Sequence, residues 1–117
     1  TLETIKNTFD EYGYLIDTHT AVAVNAYNQY VSATSDKRSV LIASTASPYK
    51  FAKSVISALS DNVCENEFDN VDALSALTNT EVPTPIAELK NAEVRFKDVY
   101  NKQDMKTAVF KCLEILA

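Results

Sequence analysis

The sequence has little of the chemistry on which many catalytic sites depend, because its 117 residues include one glycine, one histidine and two cysteines. A single glycine leaves little of the glycine-rich loop chemistry that holds cofactor phosphates. Since the lone His19 has no histidine or cysteine partner at ligand spacing, we predict no metal site. Cys64 and Cys112 lie far apart without CxxC spacing, which is typical of unpaired thiols in a reducing cytoplasm. We expect Cys112 to lie in a core.

Charge and hydropathy argue against two further classes of partner. The formal net charge is −5, and acidic and basic residues are mixed without a basic stripe, so we predict no nucleic-acid binding. The longest apolar runs, such as residues 40–43, are far shorter than the roughly 20 residues that cross a bilayer, so we predict no membrane span and no signal peptide. The chain begins at Thr1 without an initiating methionine and enters an amphipathic pattern at once, which indicates a piece of a longer polypeptide.

Apolar periodicity predicts helices over most of the chain. Residues 2–12 carry apolar side chains at helical spacing, and Gly13 supplies the left-handed residue that commonly follows a helix. Asp17 is placed to cap a second helix over residues 18–34, whose wide apolar surface predicts burial on more than one side. Shorter helices are predicted near residues 71–77 and 86–89, and a closing helix over residues 103–116. The tyrosines expected to face the core are Tyr12, Tyr27 and Tyr30.

Residues 39–44 form a near-continuous apolar run with β-branched residues, which predicts a buried parallel strand. Ser47 and Pro48 are the expected N-cap and first residue of a helix over residues 48–59. Residues 94–97 alternate weakly, like a second strand. Because a buried strand needs neighbours on both edges, we predict an α/β fold with an incomplete sheet. In it, a helix-helix-strand-helix core and C-terminal helices form a single segment, residues 1–117, of a larger protein.

Hydroxyl side chains mark the end of the predicted strand. Ser44 and Thr45 lie where loops of α/β sheets open into ligand-binding crevices. These hydroxyl groups can bind a ligand or satisfy local backbone groups; both interpretations stay open for Thr45, whereas for Ser47 a helix cap is favoured. For His19, a polar contact in the first helical turn is favoured over a role as general base, because the helix dipole disfavours the imidazolium. No pair of carboxylates is placed for acid-base catalysis.

Two segments of the chain resemble threonine synthases of the bacterial and fungal type. Residues 13–23, GYLIDTHTAVA, are similar to the G-Y-x-x-D-P-H-T-A-V segment of that family, and residues 44–51, STASPYKF, are similar to its S-T-A-H-P-x-K-F segment. Their order and spacing near the C-terminus also fit. Thr18 stands where the family has proline, and Ser47 stands where it has histidine, so any role of that imidazole is absent or taken by a hydroxyl. The second half of the chain is similar only in its helical character.

The resemblance implies the C-terminal part of a fold-type II pyridoxal-phosphate enzyme of threonine biosynthesis. Such a carbon-oxygen lyase acts on phosphate esters and converts O-phosphohomoserine and water to L-threonine and phosphate. A Ser or Thr hydroxyl commonly faces the pyridine nitrogen of the cofactor in such enzymes, and we predict Thr45 for this contact, with Ser44 as the fallback. The Schiff-base lysine, the cofactor-phosphate loop and most of the substrate site belong to the N-terminal remainder of the polypeptide. We therefore predict no catalytic residue in this chain and expect the isolated chain to be inactive.

Two other functions are compatible with the residues. The chain could be a stand-alone, non-catalytic helical interaction module, or a fragment of another fold-type II enzyme that acts on a different amino acid. The reading frame upstream of Thr1 separates the first of these from an enzyme fragment. The site prediction itself depends on residues 40–44 forming an interior strand whose end, at Thr45, opens onto a cofactor crevice.

Overall fold

A computed structural model of the chain describes residues 1–114, and within that range the chain is mostly helical, as predicted. The α-helices are α1 (Leu2–Tyr12), α2 (Thr18–Thr34), α3 (Ala52–Leu59), α4 (Glu67–Thr78), α5 (Thr84–Leu89) and α6 (Met105–Cys112). Two 3₁₀ turns, Pro48–Phe51 and Lys102–Asp104, lead directly into α3 and α6. None of the helices within residues 1–114 combines the length and the apolar character that crossing a membrane requires.

The predicted helix ends are confirmed at three caps. Gly13 ends α1 in the left-handed conformation, with φ 64°, and its N–H donates to the carbonyl of Phe9. Asp17 caps α2 by accepting hydrogen bonds from two backbone N–H groups of the first turn. Ser47 accepts a bond from the N–H of Tyr49, and Pro48 follows it as the first helical residue. The helix predicted over residues 48–59 begins as a 3₁₀ turn and becomes α-helical from Ala52.

The core lies around α3, which packs against both α1 and α4, while α1 also contacts α2. Its buried apolar residues come from these helices, from the loop that precedes α2 and from the 3₁₀ turn that precedes α3. They are Ile5, Ile16, Ala21, Tyr49, Ala52, Val55, Ile56, Val71 and Leu74. Full burial of one large aliphatic side chain contributes about 1.5–3 kcal/mol. Ile16 and Tyr49 belong to this core. The core therefore fixes the loop before α2 and the 3₁₀ turn before α3, where parts of the two resembling segments lie.

The strand predicted over residues 39–44 is wrong. These residues form neither helix nor strand, and no strand is formed within residues 1–114. The backbone of residues 36–46 makes no hydrogen bond to another described backbone group, and Leu41 is 95% exposed. A strand requires ladder bonds to a neighbour, which the described part of the chain does not supply. Residues 94–97 are also irregular, so the α/β class and its incomplete sheet are corrected to a helical arrangement.

Several apolar side chains expected in the core face solvent instead. Within α2 the buried residues are Thr20 and Ala21, so the expected burial on more than one side is wrong. Tyr12, Tyr30 and Cys112 are exposed, because the described residues place no helix over them. The radius of gyration of the Cα atoms is 18.9 Å, against about 13 Å for a compact chain of this length. The end of the predicted closing helix, at residues 115–116, lies outside the described residues.

A polar cluster closes the turn after α2. Asp36 accepts hydrogen bonds from the Arg38 side chain, at 2.6 Å from Nη2, and from the Tyr30 hydroxyl, at 2.9 Å. The Arg38 side chain, its backbone N–H and the Tyr30 hydroxyl all favour the ionised carboxylate and lower the pKa of Asp36 to about 2. The cluster therefore fixes the polar turn that begins the irregular segment.

We expect Arg38→Gln to raise the pKa of Asp36 from about 2 toward its ordinary value, because the largest stabilising contact of the carboxylate is lost while those from the backbone N–H of residue 38 and the Tyr30 hydroxyl remain. NMR titration of the side-chain carboxyl resonances of the chain measures this shift directly. Lys37→Gln is the matched control, since it removes a neighbouring positive charge that makes no hydrogen bond to Asp36 in the described structure. An unchanged Asp36 pKa in Arg38→Gln would contradict the assignment.

Candidate functional site

The two segments that resemble threonine synthases lie side by side. Thr20 Oγ1 and Ser44 Oγ are 3.0 Å apart although 24 residues separate them in the sequence. The His19 and Phe51 rings lie with their centroids 5.0 Å apart. A shallow pocket of about 270 Å³ is lined by residues 13–15 of the first segment, by residues 47–49 of the second, and by Thr80, Glu81 and Pro83 of the loop after α4. The fold therefore joins both segments into one site at the N-terminus of α2.

A buried carboxylate, Asp17, lies at the centre of this site. Its Oδ1 accepts from the backbone N–H of His19 at 2.8 Å and of Thr20 at 3.3 Å, and its Oδ2 accepts from the Thr20 hydroxyl. Burial alone would raise the pKa of Asp17, but the hydrogen bonds from the Thr20 side chain and the two backbone N–H groups outweigh it and hold the pKa below its ordinary value. Asp17 is thus an ionised acceptor at neutral pH.

The Thr20 hydroxyl links Asp17 to the second segment. It is the donor in both of its contacts, to Asp17 Oδ2 and, at 3.0 Å, to Ser44 Oγ. Since Thr20 has one hydroxyl proton, it shares that proton between the carboxylate and the Ser44 oxygen. A hydrogen-bond chain therefore runs from the Asp17 carboxylate through the Thr20 hydroxyl to the Ser44 hydroxyl.

The two predicted ligand-binding residues differ in their contacts within the chain. Ser44 and Thr45 are both exposed on the irregular segment. The Ser44 hydroxyl oxygen accepts a hydrogen bond from Thr20, which holds this side chain against the N-terminus of α2. The Thr45 hydroxyl makes no hydrogen bond to any residue in the range 1–114, which leaves its proton and its lone pairs available to a ligand. The interior strand that was expected to carry Thr45 is absent from this range.

His19 and Ser47 occupy the roles that the residue patterns favoured. The His19 side chain is 69% exposed, with Nδ1 at 3.3 Å from Asp17 Oδ1 and 3.4 Å from the hydroxyl of Thr18. It makes polar contacts in the first turn of α2. Ser47 caps the 3₁₀ turn that leads into α3. Within residues 1–114, no three His, Cys, Asp or Glu side chains are placed to hold a metal ion.

The sequence patterns did not identify two contributors to this site. Thr20 belongs to the first resembling segment, but its link to Ser44 spans 24 residues, which local periodicity cannot predict. Tyr49 is buried, and its hydroxyl donates to the Thr80 carbonyl at 2.9 Å, which ties the second segment to the loop after α4. Tyr49 lies three residues before Ala52 and seven before Ile56. This helical spacing is the sequence signal that places Tyr49 on the same buried face.

Comparison with known protein families supports the resemblance. The profile of a family described as "Threonine synthase, C-terminal" matches residues 20–109. The match includes Thr20 and the whole of the second resembling segment, residues 44–51, and it continues through α3, α4 and α5 into α6. It thus covers well over half of the 117 residues. The chain belongs to the threonine synthase C-terminal family.

Proposed function

We propose that the chain is the C-terminal part of a fold-type II pyridoxal-phosphate lyase, a cytoplasmic threonine synthase, that converts O-phosphohomoserine and water to L-threonine and phosphate. The family match supports the assignment. The single observation that carries it is the contact between Thr20 and Ser44, which joins the two resembling segments. Free Cys64 and Cys112 fit a reducing compartment.

The part of the cofactor that these residues fit is the ring nitrogen. Bound pyridoxal phosphate supplies an electron sink to the reacting substrate, and the protein orients it and tunes its ring nitrogen. The exposed Thr45 hydroxyl has a free proton to donate to an unprotonated pyridine nitrogen. A neutral hydroxyl does not stabilise the protonated pyridinium as a carboxylate would, so Thr45 moderates the electron withdrawal.

The remainder of the polypeptide is the proposed partner of the exposed apolar side chains. Leu41 is 95% exposed, Val40 and Met105 are more than half exposed, and covering such side chains removes apolar surface from water. The family description names a C-terminal part, which supports a larger enzyme. The Schiff-base lysine, the cofactor-phosphate loop and the O-phosphohomoserine site are assigned to that remainder.

We expect Thr45→Val in the full-length enzyme to weaken binding of pyridoxal phosphate about 10- to 100-fold. The substitution keeps the shape of the side chain but leaves the ring nitrogen without its donor, a loss of about 1–3 kcal/mol. Titration of the apo-enzyme with pyridoxal phosphate, followed by the absorbance of the bound cofactor, measures the dissociation constant. Unchanged affinity and turnover would remove Thr45 from the site.

Three controls accompany this experiment. Thr45→Ser keeps the hydroxyl and should retain most of the affinity. Thr107→Val makes the same substitution at an exposed threonine of α6 and should change nothing. The isolated 117-residue chain should give no stable cofactor absorbance, because it supplies one contact out of a site that other parts of the enzyme complete.

A further inference from the structure

The proposed function does not use Asp17, although Asp17 is the most enclosed ionisable group of the site, with none of its surface exposed. A helix cap does not require this arrangement, because capping needs only the bonds from the backbone N–H groups of His19 and Thr20. Asp17 also accepts the side-chain proton of Thr20. That additional bond extends the influence of Asp17 beyond α2 to the segment that carries Ser44.

The segment from residue 36 to residue 46 has few other restraints. Its backbone makes no hydrogen bond to described backbone groups, and the polar cluster at Asp36 and Arg38 fixes only its beginning. Near its end, the contact from Ser44 to Thr20 links it to the buried N-terminus of α2. Thr45 is the next residue, so the position of its hydroxyl depends on that link.

We propose that Asp17, Thr20 and Ser44 form a hydrogen-bond chain that positions Thr45 for its contact with the cofactor ring. This inference rests on the proposed function and deepens it. It assigns Ser44 a positioning role, because its hydroxyl oxygen accepts the hydrogen bond from Thr20 within the chain. Asp17 and Thr20 act through Ser44 and touch neither substrate nor cofactor.

The test uses the full-length enzyme with Thr20→Val, which keeps the shape of the side chain and leaves the backbone cap on Asp17 in place. We expect the affinity of the apo-enzyme for pyridoxal phosphate to fall about 10-fold, as for loss of one hydrogen bond, with a shift in the absorbance maximum of the bound cofactor. Thr20→Ser restores the hydroxyl and should bring both values back to wild type. Thr8→Val is the matched control, because the Thr8 hydroxyl bonds the Thr4 carbonyl within α1.

The outcomes separate the inference from the function on which it rests. Wild-type affinity in Thr20→Val together with weak binding in Thr45→Val would overturn the positioning role and leave the proposed function standing. Wild-type affinity in Thr45→Val would overturn the proposed function and this inference with it. Equal losses in Thr20→Val, Thr20→Ser and Thr8→Val would indicate general damage and also overturn the inference. If Thr20→Val fails to fold, Ser44→Ala breaks the same chain at its exposed end. A fall in the affinity of this variant for pyridoxal phosphate would then support the inference, and wild-type affinity would overturn it.

Discussion

Replacing Leu74 with alanine is expected to lower the free energy of unfolding of the chain by about 3 kcal/mol, within the ~2–5 kcal/mol typical of such truncations. Leu74 is completely buried in the core that α4 forms with α3. The loss combines the transfer free energy of the deleted carbons with the cavity they leave. Urea unfolding followed by the helical circular dichroism signal measures it.

Leu77→Ala is the matched control for this experiment. It makes the same substitution three residues along α4, where the side chain is 48% exposed. Both variants make the same change within α4, so helix propensity changes equally in the two. The difference between their free energies of unfolding therefore reports the burial of the side chain. We expect Leu77→Ala to cost less than about 1 kcal/mol. Equal losses in the two variants would mean that the face of α4 packed on α3 is not the one described.

Asp17→Ala is expected to destabilise the chain by about 2–3 kcal/mol at neutral pH. Loss of the N-cap of α2 costs about 1 kcal/mol, and the buried Thr20 hydroxyl loses its charged acceptor, which adds roughly 1–2 kcal/mol. The same denaturation experiment measures the effect. Asp10→Ala is the control, because Asp10 forms an exposed pair with Lys6 and such pairs contribute little. A loss no larger than that of Asp10→Ala would contradict the role assigned to Asp17.

The effect of Asp17→Ala should also depend on pH in a defined direction. The folded pKa of Asp17 lies below its ordinary value of 3.8, so the unfolded chain binds a proton more readily than the folded chain does. The stabilisation by the carboxylate is therefore fully present above pH 4 and is lost as the pH falls through the lower, folded pKa. Repeating the urea series between pH 7 and pH 3 should show the difference between wild type and Asp17→Ala shrinking at the acidic end.

The helices could be predicted from the sequence because their signals are local. The apolar spacing within α1 predicts that helix, Gly13 marks its end, and Asp17 marks the start of α2. Each signal lies within one or two turns of the helix end that it specifies. The caps specify where a helix begins, but they do not specify what covers its face. That is why the limits of α2 were predicted correctly while its burial was not.

The strand at residues 39–44 could not be decided from the sequence in the same way. A short apolar run with β-branched residues shows how readily an extended strand would form, but a strand exists only when another segment supplies its hydrogen bonds. Residues 1–114 contain no such partner for it. Without that strand, the prediction for Thr45 is supported by the resemblance and by the contact between Thr20 and Ser44.

The site was only partly predictable for a related reason. The two resembling segments identified Ser44 and Thr45 as candidates, but periodicity within each segment carries no information about which residues meet across the fold. The Ser44 hydroxyl accepts a hydrogen bond from Thr20, whereas the Thr45 hydroxyl has no partner among residues 1–114. That distinction between two adjacent hydroxyl groups depends on a contact across the fold.

The exposed, uncharged run at residues 39–44 has a consequence for how copies of the chain behave toward one another. Six residues without charge or proline, rich in β-branched and aliphatic side chains, have the composition of a segment that pairs edge to edge with itself. Asp36, Lys37 and Arg38 stand immediately before it, and charged residues next to such a run oppose stacking. The ion pair between Asp36 and Arg38 holds two of these charges in place, so we expect the turn after α2 to oppose self-association of the chain.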